Sequence, residues 1–449
     1  MPQTVLIKFS GPDYQTKKNR LAGQIVKAGS VRLGKDTSNL FRSRQEIKQN
    51  SLSVRDFNHV LTINPDEAWA EAEGMTTYED FVNKTLRYGF MPAVVPQLKT
   101  ITIGGAATGV GIESSSFRYG LVHETVLEME ILLPSGETII CNKIQNADLF
   151  YGFPNSYGTF GYALKLKVKL IPVKPFVKLE HERYDNYQGY FQTLQNVCNS
   201  DVDFADGVIF GPDEMYVTTG RFVEKAPFTS DYTYLDIYYK SIRSKKEDYL
   251  SVYNYLWRWD TDWFWCSKNI GAQNFFLRRL FGKKHLNSKF YGKMMRWNNK
   301  WRFSERFSSL FGGPQEWVIQ DVDIPIENAV KFAEFFFREI GIKPVWICPV
   351  RAYDPAVKFS LFPLDPKKLY INFGFWDAVL SKKEKGYYNK VVEAKVAELA
   401  GRKGLYSYSF YSEEEFWKIY DKPAYDALKQ KYDPQGKFKN LYEKCVKRE

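Results

Sequence analysis

The sequence is poor in the residues that build metal and redox centres. It has four histidines, none at ligand spacing from another or from a cysteine, so no metal is expected. Its five cysteines, Cys141, Cys198, Cys266, Cys348 and Cys445, lie far apart and form no CxxC pair, which predicts reduced thiols in a cytoplasmic protein. There is no apolar run approaching the ~20 residues needed to cross a bilayer. The opening "MPQTVLIKFSGPDYQTKKNR" holds an apolar stretch too short for a signal peptide, so a soluble protein, or one peripheral at a membrane, is expected. No internal repeat is evident, and no Gly-Lys-Ser/Thr triplet offers a Walker phosphate loop.

What is present begins with length. A chain of 449 residues exceeds one hydrophobic core, and two domains are expected. Aromatic residues reach 17%, which points to a large flat or greasy ligand, or to a membrane face. The net charge of +11 is unevenly placed: Lys268 to Arg306 carries eleven Lys and Arg against the single acid Glu305. Six of the eleven tryptophans lie in or just before that segment. Basic residues mixed with aromatics suit an anionic membrane surface, a nucleic-acid groove, or a solvated helix with its rings packed inward; composition alone leaves these open.

Local patterns predict short strands and helices in mixed order, an α+β arrangement rather than a parallel βαβ array. "DFNHVLTINPDEAWAEAEG" predicts two strands around a turn at Asn64–Pro65. "MTTYEDFVNKTLRYGF" predicts a helix with a Thr76–Glu79 capping box and a stop at Gly89. "YALKLKVKLIPV" alternates at period two, as a strand with one wet face does. A domain boundary is expected at the prolines of "LIPVKPF".

The densest chemical signal is "TIGGAATGVGIESSSFRYG", Thr102 to Gly120. It lacks the third glycine of the Rossmann fingerprint, where Ser114 stands. Bare backbone at Gly104, Gly105, Gly109 and Gly111 still lets N–H groups approach a diphosphate, with Thr108 and the serines adding hydroxyls, in a loop rather than a helix. A ligand-free glycine crossing between strands is the alternative. Glu113 is awkward, because a carboxylate repels phosphate; ribityl hydroxyls or loop amides suit it better.

"VVPQLKTITIGGAATGVGIESSSFRYGLVHETVLEMEILLPSGE" followed by "NADLFYGFPNSYGTFGYALKLKVKLIPVKPFVKL" resembles the PCMH-type FAD-binding domain of the vanillyl-alcohol-oxidase superfamily. Within it the chain is most similar to the sterol side-chain (Δ24) reductase, or Diminuto-like, branch, and the similarity runs on through "VIQD", "PVWICP" and "EEEFWKIYD". The resemblance implies an FAD-binding domain of two subdomains over 1–173. A substrate (cap) domain, an antiparallel sheet flanked by helices, would cover 174–400, with the basic aromatic insertion at about 253–306. A segment 401–449 would return to the flavin. Carried across by motif, Pro96, Gly104, Gly105, Thr108, Gly109, Gly111, Glu113, Ser114, Ser115, Gly120, Gly158 and Gly161 would contact FAD. Lys35, Thr37, Ser38 and Asn39 of "GKDTSNLFR" would form the earlier pyrophosphate loop. That loop has no histidine, which removes the family's common covalent attachment site and implies non-covalent FAD.

The branch further implies NADPH as electron donor and reduction of an isolated C=C bond in a hydrophobic lipid, whether sterol, isoprenoid or methylene-branched acyl chain. Such a bond has no carbonyl to hold negative charge, so a proton donor and aromatic faces tolerant of positive charge are required. Candidates for the donor are Tyr411, Tyr408 and Asp321. Under this reading Lys268–Arg306 docks on an anionic membrane, and nucleic acid is not expected. An FAD-dependent oxidase or dehydrogenase of a sugar or alcohol, and a non-enzymatic membrane or nucleic-acid binding protein, are the alternatives.

Overall fold

The computed structural model describes residues 6–9, 13–28, 31–35, 41, 50–301 and 313–447. Thr37, Ser38 and Asn39, and residues 302–306 of the basic segment, lie outside them.

The first half of the fold contributes strands β1 (Ile7–Lys8), β2 (Val31–Gly34), β3 (Asn50–Ser53), β4 (Val60–Asn64), β5 (Trp69–Glu73), β6 (Phe90–Pro92), β7 (Val126–Leu132), β8 (Thr138–Asn142) and β9 (Tyr162–Pro172). β2 and β3 form a small parallel pair, while the others build an antiparallel sheet in the order β1-β4-β5-β9-β7-β8, with β6 also on β9. Three residues after β9 the chain enters a second antiparallel sheet. It is made of β10 (Phe176–Tyr184), β11 (Phe204–Gly211), β12 (Glu214–Val223), β13 (Glu247–Ser251), β14 (Gln315–Pro325), β15 (Val345–Arg351), β16 (Leu369–Leu380) and β17 (Arg402–Lys403). Its order is β13-β10-β12-β11-β15-β16-β14-β17. The expected α+β class, antiparallel sheets with helices, is what the chain adopts.

Period-two alternation in the second sheet decides where the site lies. Val318, Val322 and Ile324 of β14, Val345 and Ile347 of β15, and Ile371, Phe373 and Phe375 of β16 share one core with Phe332 and Phe336 of the helix Ala329–Glu339. Each fully buried ring there contributes about 1.5–3 kcal/mol relative to exposure. The intervening residues, Asp321, Asp323, Trp346, Asn372 and Trp376, therefore point away from the helices. They line a cavity against the first sheet.

One local expectation needs correction. The helix over Tyr78–Thr85 is capped by Thr77, whose hydroxyl accepts from the Asp80 N–H, and not by a Thr76–Glu79 box. Thr77 bridges to Thr102 in extended geometry, which sets the last non-helical residue one position later. Thr76 is buried and donates its hydroxyl to the His59 carbonyl.

Candidate active site

A cavity of about 660 Å³ lies between the two sheets. Much of its first wall is main chain from the glycine run. That run is not a continuous loop: Ile103–Thr108 is a short helix capped by Thr102, whose Oγ1 accepts from the Gly105 N–H at 3.2 Å. Gly104 donates to the Gly74 carbonyl at 2.9 Å and Gly111 to the Ala106 carbonyl at 3.0 Å. The Gly104, Gly105 and Gly111 amides are thus engaged inside the protein and not directed at a diphosphate. What glycine supplies is contact: a Cβ at Gly74 would stand 2.0 Å from the Ala163 carbonyl oxygen, and one at Gly104 2.8 Å from that of Gly74. The helix backbone rests directly on β9, and its exposed side becomes the cavity wall.

Of the residues expected at the cofactor, Lys35, Pro96, Gly104, Gly105, Thr108, Gly109, Gly111, Glu113, Gly158 and Gly161 line the cavity. Ser114, Ser115 and Gly120 do not form part of the wall. Both serines are fully buried; Ser114 Oγ lies 2.8 Å from the Tyr255 hydroxyl, and Ser115 Oγ donates to the Ala93 carbonyl at 2.7 Å. Gly120 sits at φ +71° against the Glu124 carboxylate. These residues stitch the run to its surroundings.

Glu113 acquires a partner that its sequence neighbours do not supply. Its Oε1 accepts from Ser114 Oγ at 2.5 Å and lies 3.5 Å from Arg258, whose guanidinium also donates to Asp206 at 2.7 Å. All three charged groups are buried, and Trp346 Nε1 donates to Asp206 at 3.3 Å. Burial pushes both carboxyls up, against the pull of Arg258. Glu113 thus clamps the glycine run to the second sheet, and its Oε2 is buried without a hydrogen-bond partner.

The far wall carries the acid-base groups. Asp321 and Asp323 stand two apart on β14, on the same face. Asp321 faces Gly374 in register on β16, and Asp323 faces Asn372, whose Nδ2 donates to it at 3.0 Å. Burial raises both carboxyls to about 7, with a hydrogen bond from Tyr406 opposing the shift at Asp321. The Tyr406 hydroxyl in turn accepts from Trp376 Nε1 at 2.8 Å. Asp321 Oδ1 is buried and has no hydrogen-bond partner. Tyr408 and Tyr411 are not in the wall: Tyr408 stacks on Phe410, and Tyr411 packs against Phe416 and Tyr420.

Sequence reasoning missed Tyr406 although it opens the same "YSYSFY" run. The pairing of β17 with β14, continued by the Gly404 N–H on the Asp321 carbonyl at 3.0 Å, is what brings Tyr406 to Asp321. It also missed the aromatic wall of Trp263, Phe264, Trp346 and Trp376, where Phe264 lies 4.5 Å from Trp376 and 5.4 Å from Trp346 between ring centroids. Trp263 and Phe264 both hold left-handed backbone, φ +46° and +58°, as do cavity residues Val110 and Tyr157. Such conformations cost about 1–3 kcal/mol each and gather where a site requires them.

The wall fits a flavin dinucleotide. Five cationic side chains, Lys35, Arg55, Lys437, Lys439 and Lys444, line it against three acids, two of them Asp321 and Asp323 with raised pKa. Cations suit a diphosphate, and flat rings suit an isoalloxazine. Comparison with known proteins agrees: residues 31–142 match the family model of an FAD binding domain. The chain carries a PCMH-type FAD-binding domain.

Human Delta(24)-sterol reductase is 26% identical over 420 residues, covering 86% of this chain and 76% of that protein. The pea Delta(24)-sterol reductase is 26% identical over 445 residues, covering 88% and 76%. Arabidopsis cytokinin dehydrogenase 3 is 29% identical over 164 residues, 35% of this chain and 30% of that protein. This flavoprotein is an FAD-dependent oxidoreductase, sterol-reductase-like over most of its length. No described helix is long and apolar enough to cross a membrane.

Proposed function

We propose that this oxidoreductase uses NADPH to reduce an isolated C=C bond in a hydrophobic lipid of the sterol, isoprenoid or methylene-branched acyl class. The observation that carries the reading is Asp321, a buried carboxyl with a pKa near 7 facing an aromatic cavity. Asp321 lies in the cavity wall, and its Oδ1 is buried without a hydrogen-bond partner. An apolar lipid bound against it would further disfavour the charged form and keep the acid protonated.

FAD, when bound and reduced, supplies a hydride to one alkene carbon. The protein supplies the proton. As the Asp321 O–H bond breaks, a C–H bond forms at the other carbon, and the balance is one hydride and one proton per double bond. Tyr406, fixed by Trp376, donates to the carboxylate left behind and fixes its orientation. Trp263, Phe264, Trp346 and Trp376 present ring faces to the positive charge that develops when protonation leads. Glu113, a wall residue whose buried Oε2 lacks a hydrogen-bond partner, would hold a ribityl hydroxyl, and the five cations would hold the diphosphate.

The relatives' name supports a sterol-like substrate, and the match over most of the chain, beyond the FAD domain, supports extending it to the cap. Anaerobic stopped-flow tests the reading: NADPH should bleach the flavin, and a Δ24 sterol should then restore its colour. Bleaching only by an alcohol or sugar, or no reoxidation by any alkene lipid, would overturn it.

A further inference from the structure

The described tryptophan side chains of the basic aromatic segment do not form an outward apolar surface. Trp257, Trp259 and Trp265 are buried, and Trp263 stacks on Tyr291 while lining the cavity. Interfacial tryptophans at headgroup depth are therefore not available from these four positions. The outward apolar surface lies elsewhere in the segment.

The helix Phe275–Phe281 is amphipathic in the reverse sense to that of a soluble surface helix. Its buried residue is an arginine: Arg278 is 1% exposed, bound to Asp262 at 2.9 Å through Nη2 and to the Ala272 carbonyl at 3.1 Å through Nη1. Its outward residues other than Arg279 are apolar, with Phe276 78% and Leu280 83% exposed and Phe275 and Leu277 about half so. A charge buried and paired on the inner face fixes the helix in this orientation, because turning it over would strand Asp262.

Beside this apolar face stand the exposed cations Arg279, Lys283 and Lys284. We propose that the helix Phe275–Phe281 and this basic rim form a docking surface for an anionic lipid bilayer. Charge complementarity chooses the occupant: apolar rings and a leucine enter the acyl boundary while the cations meet anionic headgroups. The surface is also continuous with the site. Phe281, at the end of the helix, packs in one cluster with Trp263 and Tyr291, and the Trp263 ring belongs to the cavity wall. A run of ring contacts, Phe281 to Phe290 to Tyr291 to Trp263, thus links the docked face to the cavity wall. The membrane is then the source of the lipid substrate, a clause that rests on the proposed function; the docking itself does not.

The test is flotation of the FAD-loaded protein with phosphatidylcholine vesicles, with and without phosphatidylserine. Wild type should float with the anionic vesicles and much less with the neutral ones. Phe276→Ser with Leu280→Ser should lower recovery by about tenfold or more, and Arg279→Glu with Lys284→Glu should abolish the preference for phosphatidylserine. Retained flavin absorbance and unchanged bleaching by NADPH will show that these variants are folded. Equal recovery of wild type with both vesicles, unchanged recovery of the Phe276/Leu280 variant, or retention on RNA with none on vesicles would overturn the proposal. Vesicle binding by a protein that reduces no alkene would leave the docking intact and remove the proposed function.

Discussion

The indole N–H of Trp376 donates to the Tyr406 hydroxyl at 2.8 Å, joining the long strand β16 to the segment that follows β17. The hydroxyl so held pulls the Asp321 pKa down against the larger upward push of burial. Asp321→Asn should leave flavin retention and NADPH bleaching near wild type. It should slow reoxidation by the alkene about 10²–10⁴-fold, the usual range for losing a general acid. Tyr406→Phe should slow the same step less, and sequential-mixing stopped-flow separates the two half-reactions.

The pH dependence has a defined sign. With Asp321 near 7, the acid form predominates below that value, so alkene reduction should fall as pH rises through about 7. An unfolded aspartate titrates near ~3.9. Between these values the folded chain keeps a proton that the unfolded chain has lost, so this group's contribution to stability is full below ~4 and is lost as pH rises through about 7. Reoxidation rates across pH 5–9, with Asp321→Asn as the flat reference, check the first part.

Gly374 makes the acid site possible. A Cβ there would fall 2.5 Å from Trp376 Cη2 and 2.8 Å from Asp321 Oδ1. Gly374→Ala should displace both, destabilise the fold by about 1–3 kcal/mol as overpacking does, and slow alkene reduction more than NADPH bleaching. Urea denaturation and the same stopped-flow assay read the two effects.

Arg258→Ala would leave Glu113 and Asp206 buried without their cation. A loss of about 3–5 kcal/mol is expected. Glu113→Gln keeps an acceptor for Ser114 while Arg258 keeps Asp206, so a loss of about 1 kcal/mol is expected. If Glu113 also holds the ribityl chain, FAD retention on gel filtration will drop beyond what that stability change explains.

Cations in the cavity wall should govern FAD affinity. Lys439→Gln is expected to weaken FAD binding about tenfold, as loss of a charge-assisted phosphate contact does. Isothermal titration of the apoprotein with FAD measures it, and the salt dependence of the affinity should become shallower.

Local sequence determined the strands, the glycine run and the family likeness, because period-two alternation and Cβ-free positions are properties of neighbouring residues. It also held Asp321 and most of the wall of the first sheet. Tertiary structure alone decided which groups meet. Glu113 finds Arg258 145 positions away, and Tyr406 reaches Asp321 only because β17 pairs with β14. Gly104, legible as bare backbone, proved to serve helix-on-strand contact, since the atoms a Cβ there would meet belong to Gly74 and Ala163. The tryptophans and phenylalanines of the basic segment read alike in one dimension; the buried Arg278–Asp262 pair decides which rings face the core and which face outward. A buried charge must be paired, and that requirement is settled by the partner's place in space, not by its place in the chain.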